Sequence, residues 1–325
     1  SQQGQQRPAV NLHVENHMKT LITLALFLLS ALTAQAKDPL RLGVLPIEDS
    51  APLFIAQQEH FYAEENLKVE LVPFQSALER DSALAAGAID GAITDPIGAI
   101  LFDQGRGRLK ITSLCLGEQP QEGVFAILAA PGAALAGVDD LKGVEIAVST
   151  ATIIEYVTDR LLLRHGFKEG EIKKIEVVKM PIRMQMLLSG AVKAATLPEP
   201  LASIAVGQGA KVLIDDGSGK ESLSQTVLAF RDQALAERKT DIAAFFRAYA
   251  RAVKAINNDP ERFRALVVDK GRIPPNLAKS YPIPHFPEPQ PFPEVLYTPI
   301  IEWLTGKGLA KALPYRSMVV GEVLP

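Results

Sequence analysis

The 325-residue chain is poor in the groups that carry covalent and metal chemistry. It has one cysteine, Cys115, which excludes an intrachain disulfide framework and any thiolate metal cluster. It lacks charge of one sign: a formal net charge of −3 and a pI near 6.0 provide no basic field for nucleic acid. There is no GxSxG elbow, no HExxH and no paired CxxC, so the common hydrolase and zinc signatures are missing. Past residue 36 the histidines are His60, His165 and His285, each isolated in the sequence, the pattern of surface or core histidines. The stretch "GSGKES", Gly217 to Ser222, mimics a phosphate loop, but Ile214 stands where that loop needs glycine and Glu221 where it needs Ser or Thr. It reads as a turn. No catalytic constellation, metal or cofactor is expected.

What is present is an ordinary globular composition: 47% hydrophobic and 22% charged residues exclude a disordered chain, and the length suits two domains. Near the N-terminus, Met18-Lys19 precedes the apolar run "TLITLALFLLSALT" and then "AQA", Ala34 to Ala36. A basic head, a short apolar core and small residues at −3 and −1 predict a secretory signal peptide over residues 18–36, cleaved after Ala36. Residues 1–17 are polar and stand ahead of it, and are expected to be an over-extended or non-native start outside the fold. The expected location is the periplasm.

From Arg41 on, one pattern is written twice. Apolar strand, helix, alternating strand, helix and strand run from 41 to 96, and the order returns from 144 to 200. The two copies of the last step are "LAAGAIDGAITDP" and "LLSGAVKAATLPEP", with glycines Gly87 and Gly190 in register as helix stops. A period of about 100 residues is too long for a solenoid repeat. It predicts two similar α/β lobes, each with a parallel sheet. The strand-like stretches "LKITSLCLG", "GVFAILAA", "AKVLIDD" and "SQTVLAFRD" are placed to carry the chain from one lobe to the other and back. A long amphipathic helix follows, with a cap at Thr240 or Asp241. Nine prolines in residues 272–299 make that stretch irregular.

In such sheets ligands sit beyond the carboxyl ends of the strands. There the sequence puts Glu48, Asp49 and Ser50 before one helix and Ser149, Thr150 and Thr152 before its counterpart. Hydroxyls and free N–H groups at a helix start suit a carboxylate, a sulfonate or a polarised carbonyl, although helix capping uses the same residues. Asp95 and Glu199, each before a proline, end equivalent strands and are expected to look into a shared cleft. Gln75 and Thr94 are further candidate contacts, and Tyr156, with Phe74 and Phe125, could wall the cleft.

Taken together, "APLFIAQQEHFYAEENLKVELVPF", "ALAAGAIDGAITDP", "DDLKGVEIAVST", "LLSGAVKAATLPEP" and "IIEWLTGKGL" resemble the type II periplasmic substrate-binding proteins of ABC importers. The branch is the one that serves nitrate, sulfonates, taurine and thiamine-pyrimidine precursors. The resemblance covers nearly all of the chain from Arg41. It implies two Rossmann-like lobes joined by two hinge strands, residues 37–126 with 228–325 and residues 127–227. It also implies a small-molecule ligand between the lobes, an ABC permease with its ATPase as partner, and a monomer. The family's acidic residue is replaced by Lys193 in the second copy. A single cysteine argues against the pyrimidine-synthesising eukaryotic relatives. Because Glu48, Asp49, Asp95 and Glu199 share the expected cleft with no Arg or Lys in those loops, the expected cargo is a neutral or cationic nitrogenous metabolite, such as a thiamine precursor. The alternative is an alkanesulfonate or taurine-like anion, for which Arg183 or Arg231 would supply charge; an exported enzyme or a sensor on the same fold is the other class.

Overall fold

Strand Leu40–Val44 (β1) is buried at every residue but Arg41, and leads through a short loop into helix Ala51–Gln58 (α1), whose first turn holds Pro52. Strand Val69–Pro73 (β2) follows, then helix Ala77–Ala85 (α2), capped by the Ser76 hydroxyl accepting from the Glu79 N–H. Gly87 ends that helix in the left-handed region, φ +71°. Strand Gly91–Thr94 (β3), helix Pro96–Asp103 (α3) and strand Leu109–Leu116 (β4) complete the first series. This computed structural model describes residues 38–325. The signal peptide and cleavage site expected at 18–36, and the polar residues 1–17, lie outside the described residues.

The second series begins with strand Phe125–Ala129 (β5) and strand Glu145–Val148 (β6). Helix Ile153–Arg164 (α4), strand Lys173–Glu176 (β7), helix Met180–Leu188 (α5) and strand Ala194–Pro198 (β8) come next. Helix Leu201–Gly207 (α6) and strand Lys211–Asp215 (β9) close it, and strand Thr226–Arg231 (β10) returns the chain to the first sheet.

Two five-stranded sheets result, in the orders β2-β1-β3-β10-β4 and β7-β6-β8-β5-β9. Each is parallel over its first three strands, but β10 runs antiparallel to β3 and β4, and β5 antiparallel to β8 and β9. The parallel sheet expected in each half is found over three strands, and the pairings of the fourth strand depart from it. A strand arriving from the other sheet has no crossover helix to turn it round, so it enters in the opposite sense. The chain passes between sheets twice, over residues 117–124 and 216–225.

Behind the first sheet lies helix Lys239–Asn258 (α7), the most amphipathic helix among the described residues. Phe245, Phe246 and Tyr249 are fully buried there and stack with Tyr62 and Phe230, at ring separations of 5.2–6.4 Å. Side chains of this size contribute about 1.5–3 kcal/mol each when removed from water. The helix begins before the expected cap: Asp241 sits in its first turn and takes the Arg238 guanidinium at 3.0 Å. Helix Glu294–Gly306 (α8), after the proline-rich stretch, packs on α3.

Candidate functional site

The carboxyl ends of β1 and β3 in one sheet face those of β6 and β8 in the other across a cavity of about 40 Å³. That is room for about two or three waters. The wall is mostly apolar, with Leu45, Ile93, Phe125, Ile153 and Met180 among its residues. Its polar groups are Asp49, Arg80, Thr94 and Asp95 from the first series, Ser149 and Thr152 from the second, and Thr226 from β10.

Arg80 is the residue that the sequence reading missed. It lies within α2 and is 1% exposed. Its Nε donates to Asp81 at 2.9 Å and its Nη1 to the Ile93 carbonyl at 3.4 Å, but Nη2 has no partner. Its counterpart in the internal repeat is Arg183, 103 residues on, as Gly190 is to Gly87. There the guanidinium is occupied: Nε and Nη2 donate to the Val177 carbonyl at 3.0 and 2.7 Å, and Nη1 to the Thr196 carbonyl at 3.3 Å. Burial lowers the Arg183 pKa to about 10. Thr196 in turn is 103 residues after Ile93, so the two arginines grip equivalent strands. One is a structural staple. The other lines the cavity and leaves one guanidinium nitrogen, Nη2, without a partner, and a buried donor without a partner is costly enough to need a reason.

Asp49 presents the complementary oddity. It is 2% exposed and neither carboxylate oxygen makes a well-formed hydrogen bond, although the Thr226 hydroxyl and the Ser50 N–H lie near it. Burial pushes its pKa up to about 7; Thr226 and the Arg80 charge lie close enough to oppose that rise without reversing it. The Thr94 and Thr226 hydroxyls are also buried without a well-formed hydrogen bond. Asp95 lines the cavity too, while its Oδ1 accepts the Gly98 N–H at 2.8 Å as the cap of α3. Burial raises it to about 6 against the pull of Arg80. In the second series the Thr152 hydroxyl accepts the Ile154 N–H at 3.1 Å and donates to the Ser149 carbonyl at 2.6 Å, so capping and cavity lining coexist there.

The remaining candidates lie elsewhere. Glu48 is held by the Tyr281 hydroxyl, and burial, with Glu199, Asp49 and Asp216 nearby, raises its pKa to about 8. Ser50 donates to the Ile47 carbonyl at 2.8 Å and lines, with Glu48, a small recess behind the loop. Glu199 accepts the Ser203 N–H and hydroxyl at 3.1 and 2.9 Å and faces a separate groove of about 450 Å³ with Asp216 and Tyr281. The shared cleft expected for Asp95 and Glu199 is therefore corrected. The acids are 104 residues apart where the glycines are 103 apart, and the extra residue points Glu199 along α6. Thr150 binds Glu176, Gln75 is exposed with its N–H on Glu79, and Tyr156 packs edge-to-face on Trp303 at 5.3 Å. Of the arginines proposed to supply charge, Arg183 is saturated by carbonyls. Arg231 donates to the Ile89 carbonyl at 2.9 Å and lies 3.5 Å from Asp90.

Gly98, in the first turn of α3, sets the depth of the polar corner. A Cβ there would stand 2.8 Å from Thr94 Oγ1 and 3.2 Å from Arg80 Nη2. Gly98→Ala is therefore expected to weaken solute binding about tenfold, about 1.4 kcal/mol, while the midpoint of thermal unfolding moves by only a few degrees. A titration and a melt of the same sample check this; unchanged affinity would show that the corner is not used.

The family model described as the NMT1-like family matches residues 33–268. No curated protein matches the chain by sequence. Among solved structures, the chain is similar to the alkanesulfonate-binding protein SsuA from Xanthomonas axonopodis pv. citri bound to MOPS. The TM-score is 0.72 at 19% identity, covering 86% of this chain and 96% of that one. A ligand-binding component of an ABC-type import system from Staphylococcus aureus, with zinc bound, has a TM-score of 0.73 at 20% identity, covering 88% and 98%. The desulfurization enzyme DSZB is similar as well, with a TM-score of 0.65 at 13% identity, covering 88% and 97%. The fold is that of the periplasmic binding proteins. Among the described residues no group of three or more His, Cys, Asp or Glu is arranged to hold a metal ion.

Proposed function

The chain belongs to the NMT1-like family, and on that premise we propose that it is the solute-binding component of an ABC importer in the periplasm. It captures a small organic anion, of the sulfonate or carboxylate class, between two lobes and delivers it to a membrane permease. The lobes are the units that carry the two sheets, with residues 117–124 and 216–225 as the hinge between them. The observation that carries this reading is the buried, unpartnered Nη2 of Arg80, a residue that lines the cavity between the sheets. A guanidinium N–H in a mostly apolar pocket is a strong, directional donor for a carboxylate or sulfonate oxygen. The Thr94 hydroxyl has donor capacity left over for the same head group, and the apolar wall suits a short hydrocarbon tail. The alkanesulfonate-binding protein of the same fold is consistent with this choice.

An enzyme on this fold would need a nucleophile or a proton-transfer pair at the cavity. Among the described residues no histidine or cysteine lines it; Asp49, Asp95 and Ser149 do, but Asp95 caps a helix and no base is bonded to the Ser149 hydroxyl. Binding is the better reading.

A second reading rests on Asp49. Its two oxygens would accept N–H donors, so a nitrogenous solute such as an aminopyrimidine keeps a specific contact here. The two readings separate by pH. An anion on Arg80 is favoured when Asp49 is protonated, so its affinity falls as pH rises through about 7. An amine donating to the Asp49 carboxylate does the opposite. The test is thermal unfolding with alkanesulfonates, taurine, short carboxylates, nitrate, polyamines and aminopyrimidines at pH 6 and pH 8. Saturating ligand at a hundred times its Kd adds about 2.7 kcal/mol. Stabilisation by the acids, larger at pH 6, is expected. Stabilisation by amines alone, larger at pH 8, would replace the anion reading with the nitrogenous one.

A further inference from the structure

Helix α8, near the end of the chain, touches both halves of the fold and is wired to the loop that lines the cavity. On one side it packs on α3, and the segment after it is tied to the end of α3, where the Gln104 Nε2 donates to the Leu309 carbonyl at 3.3 Å. On the other side Trp303 Nε1 donates to Asp159 Oδ2 of α4 at 3.3 Å, with the Trp303 ring edge-to-face on Tyr156. Lys307 reaches the same Asp159 oxygen at 2.8 Å and lies 5.8 Å from the Trp303 ring centre. The other Asp159 oxygen takes Lys174 Nζ at 2.8 Å, and Lys174 also bonds Glu155 Oε1 at 2.7 Å. Glu155 Oε2 accepts the Ala151 N–H at 2.6 Å. The connection thus runs from α8 through Asp159, Lys174 and Glu155 into the loop between Ser149 and Thr152.

Ala151 is where that connection matters. It adopts φ +57°, a left-handed conformation costly for a residue with a Cβ and held only where its surroundings over-determine it. Its neighbours Ser149 and Thr152 both line the cavity. If Glu155 swings away, the Ala151 N–H loses its acceptor and the strained turn has less reason to persist. Asp159 and Glu155 are 3% and 9% exposed at the side chain, so neither can replace a lost cation with bulk water cheaply.

We propose that Trp303 and Lys307 are positioning residues: docked on Asp159, they hold the Ser149–Thr152 loop in its binding shape and so couple the seating of α8 to solute affinity. The coupling to affinity rests on the function proposed above; the coupling to the loop does not.

The test follows amide hydrogen exchange of residues 149–153 in the purified protein without solute, for wild type, Lys307→Met, Trp303→Phe and Lys307→Arg. Exchange of the Ala151 amide is expected to quicken at least fivefold in Lys307→Met and Trp303→Phe and to stay near wild type in Lys307→Arg. A helix that merely packed would quicken exchange within itself and leave the loop unchanged. Wild-type exchange at Ala151 in both Lys307→Met and Trp303→Phe would overturn the proposal. If Trp303→Phe fails to fold, Lys307→Met decides, because that side chain is about one-third exposed, at 35%. Trp303 is the only tryptophan of the chain, so its fluorescence reports undocking directly. In parallel, titration with ethanesulfonate and taurine is expected to show a three- to tenfold weaker Kd in Lys307→Met, restored in Lys307→Arg. If neither probe binds wild type, the cargo reading fails while the exchange result still decides the loop coupling. If a probe binds wild type and Lys307→Met equally while the exchange rises, the link from loop to affinity is wrong.

Discussion

Replacing Arg80 is expected to abolish practical binding of the solute while leaving a folded protein. Removing one partner of a buried, hydrogen-bonded charge pair costs about 2–5 kcal/mol of binding, which is about 30-fold to several thousand-fold in Kd. Arg80→Met keeps most of the side-chain volume, so α2 should still pack, losing the bonds to Asp81 and the Ile93 carbonyl. Arg80→Lys keeps the charge but not the planar fork, and an intermediate loss is expected. The matching change at the repeat position, Arg183→Met, should behave the other way round. It removes bonds to the Val177 and Thr196 carbonyls, leaving buried acceptors unpaired, so it lowers the unfolding midpoint far more than Arg80→Met does. Titrations and melts of both variants check the contrast. A strong loss of stability with unchanged affinity in Arg80→Met would assign Arg80 the structural role of its twin.

The second large effect is on stability, and its sign is unusual. Most proteins lose stability as acid protonates paired carboxylates, but here burial raises the pKa of Glu48 to about 8, of Asp49 and Asp216 to about 7 and of Asp95 to about 6. From about pH 4 to pH 8 the folded chain therefore holds more protons than the unfolded one, and unfolding free energy falls as pH rises. The stability linked to these groups is fully present below the ordinary carboxylate range and is lost as pH passes 6, 7 and 8. Glu79, Asp140, Glu261 and Glu322, held low by their partners, act in the opposite direction, but only below that range. The solute-free protein is expected to lose at least about 3 kcal/mol between pH 5 and pH 8.5, about 5 °C in Tm. Calorimetry at the two pH values decides it; equal or higher Tm at pH 8.5 would mean that these carboxyls are solvated in the protein.

Much of the fold was legible because periodicity and stop signals agree in it. Gly87 and Gly190, the alternating strands and the repeat at 103 residues predicted two α/β units, and two sheets with matching strand orders are found. The antiparallel β5 and β10 were not legible, because an apolar run reads the same in either direction. The site was legible in its loops and not in its helices. Asp49, Thr94, Asp95, Ser149 and Thr152 line the cavity, placed there by the rule that ligands meet the carboxyl ends of strands. Arg80 was lost inside "ERD", a charge run that looks like a solvated helix face. The signal was nevertheless present: Ser76, Arg80 and Leu84 follow one another at intervals of four, on the buried face of α2, and Arg183 repeats the arginine 103 residues later. Glu48 and Glu199 were misplaced because sequence alone does not show Tyr281 and Ser203 arriving to hold them.

The central claim, that a small anion sits on Arg80 between the two sheets, is tested most directly by a crystal structure of the protein grown with the alkanesulfonate or carboxylate that stabilises it best. The account predicts density between the sheets, with an oxygen of the head group within hydrogen-bond distance of Arg80 Nη2 and the tail against Phe125 and Ile153. A solute found instead in the groove beside Glu199, Ser203 and Tyr281, with Arg80 Nη2 still unpartnered, would contradict it.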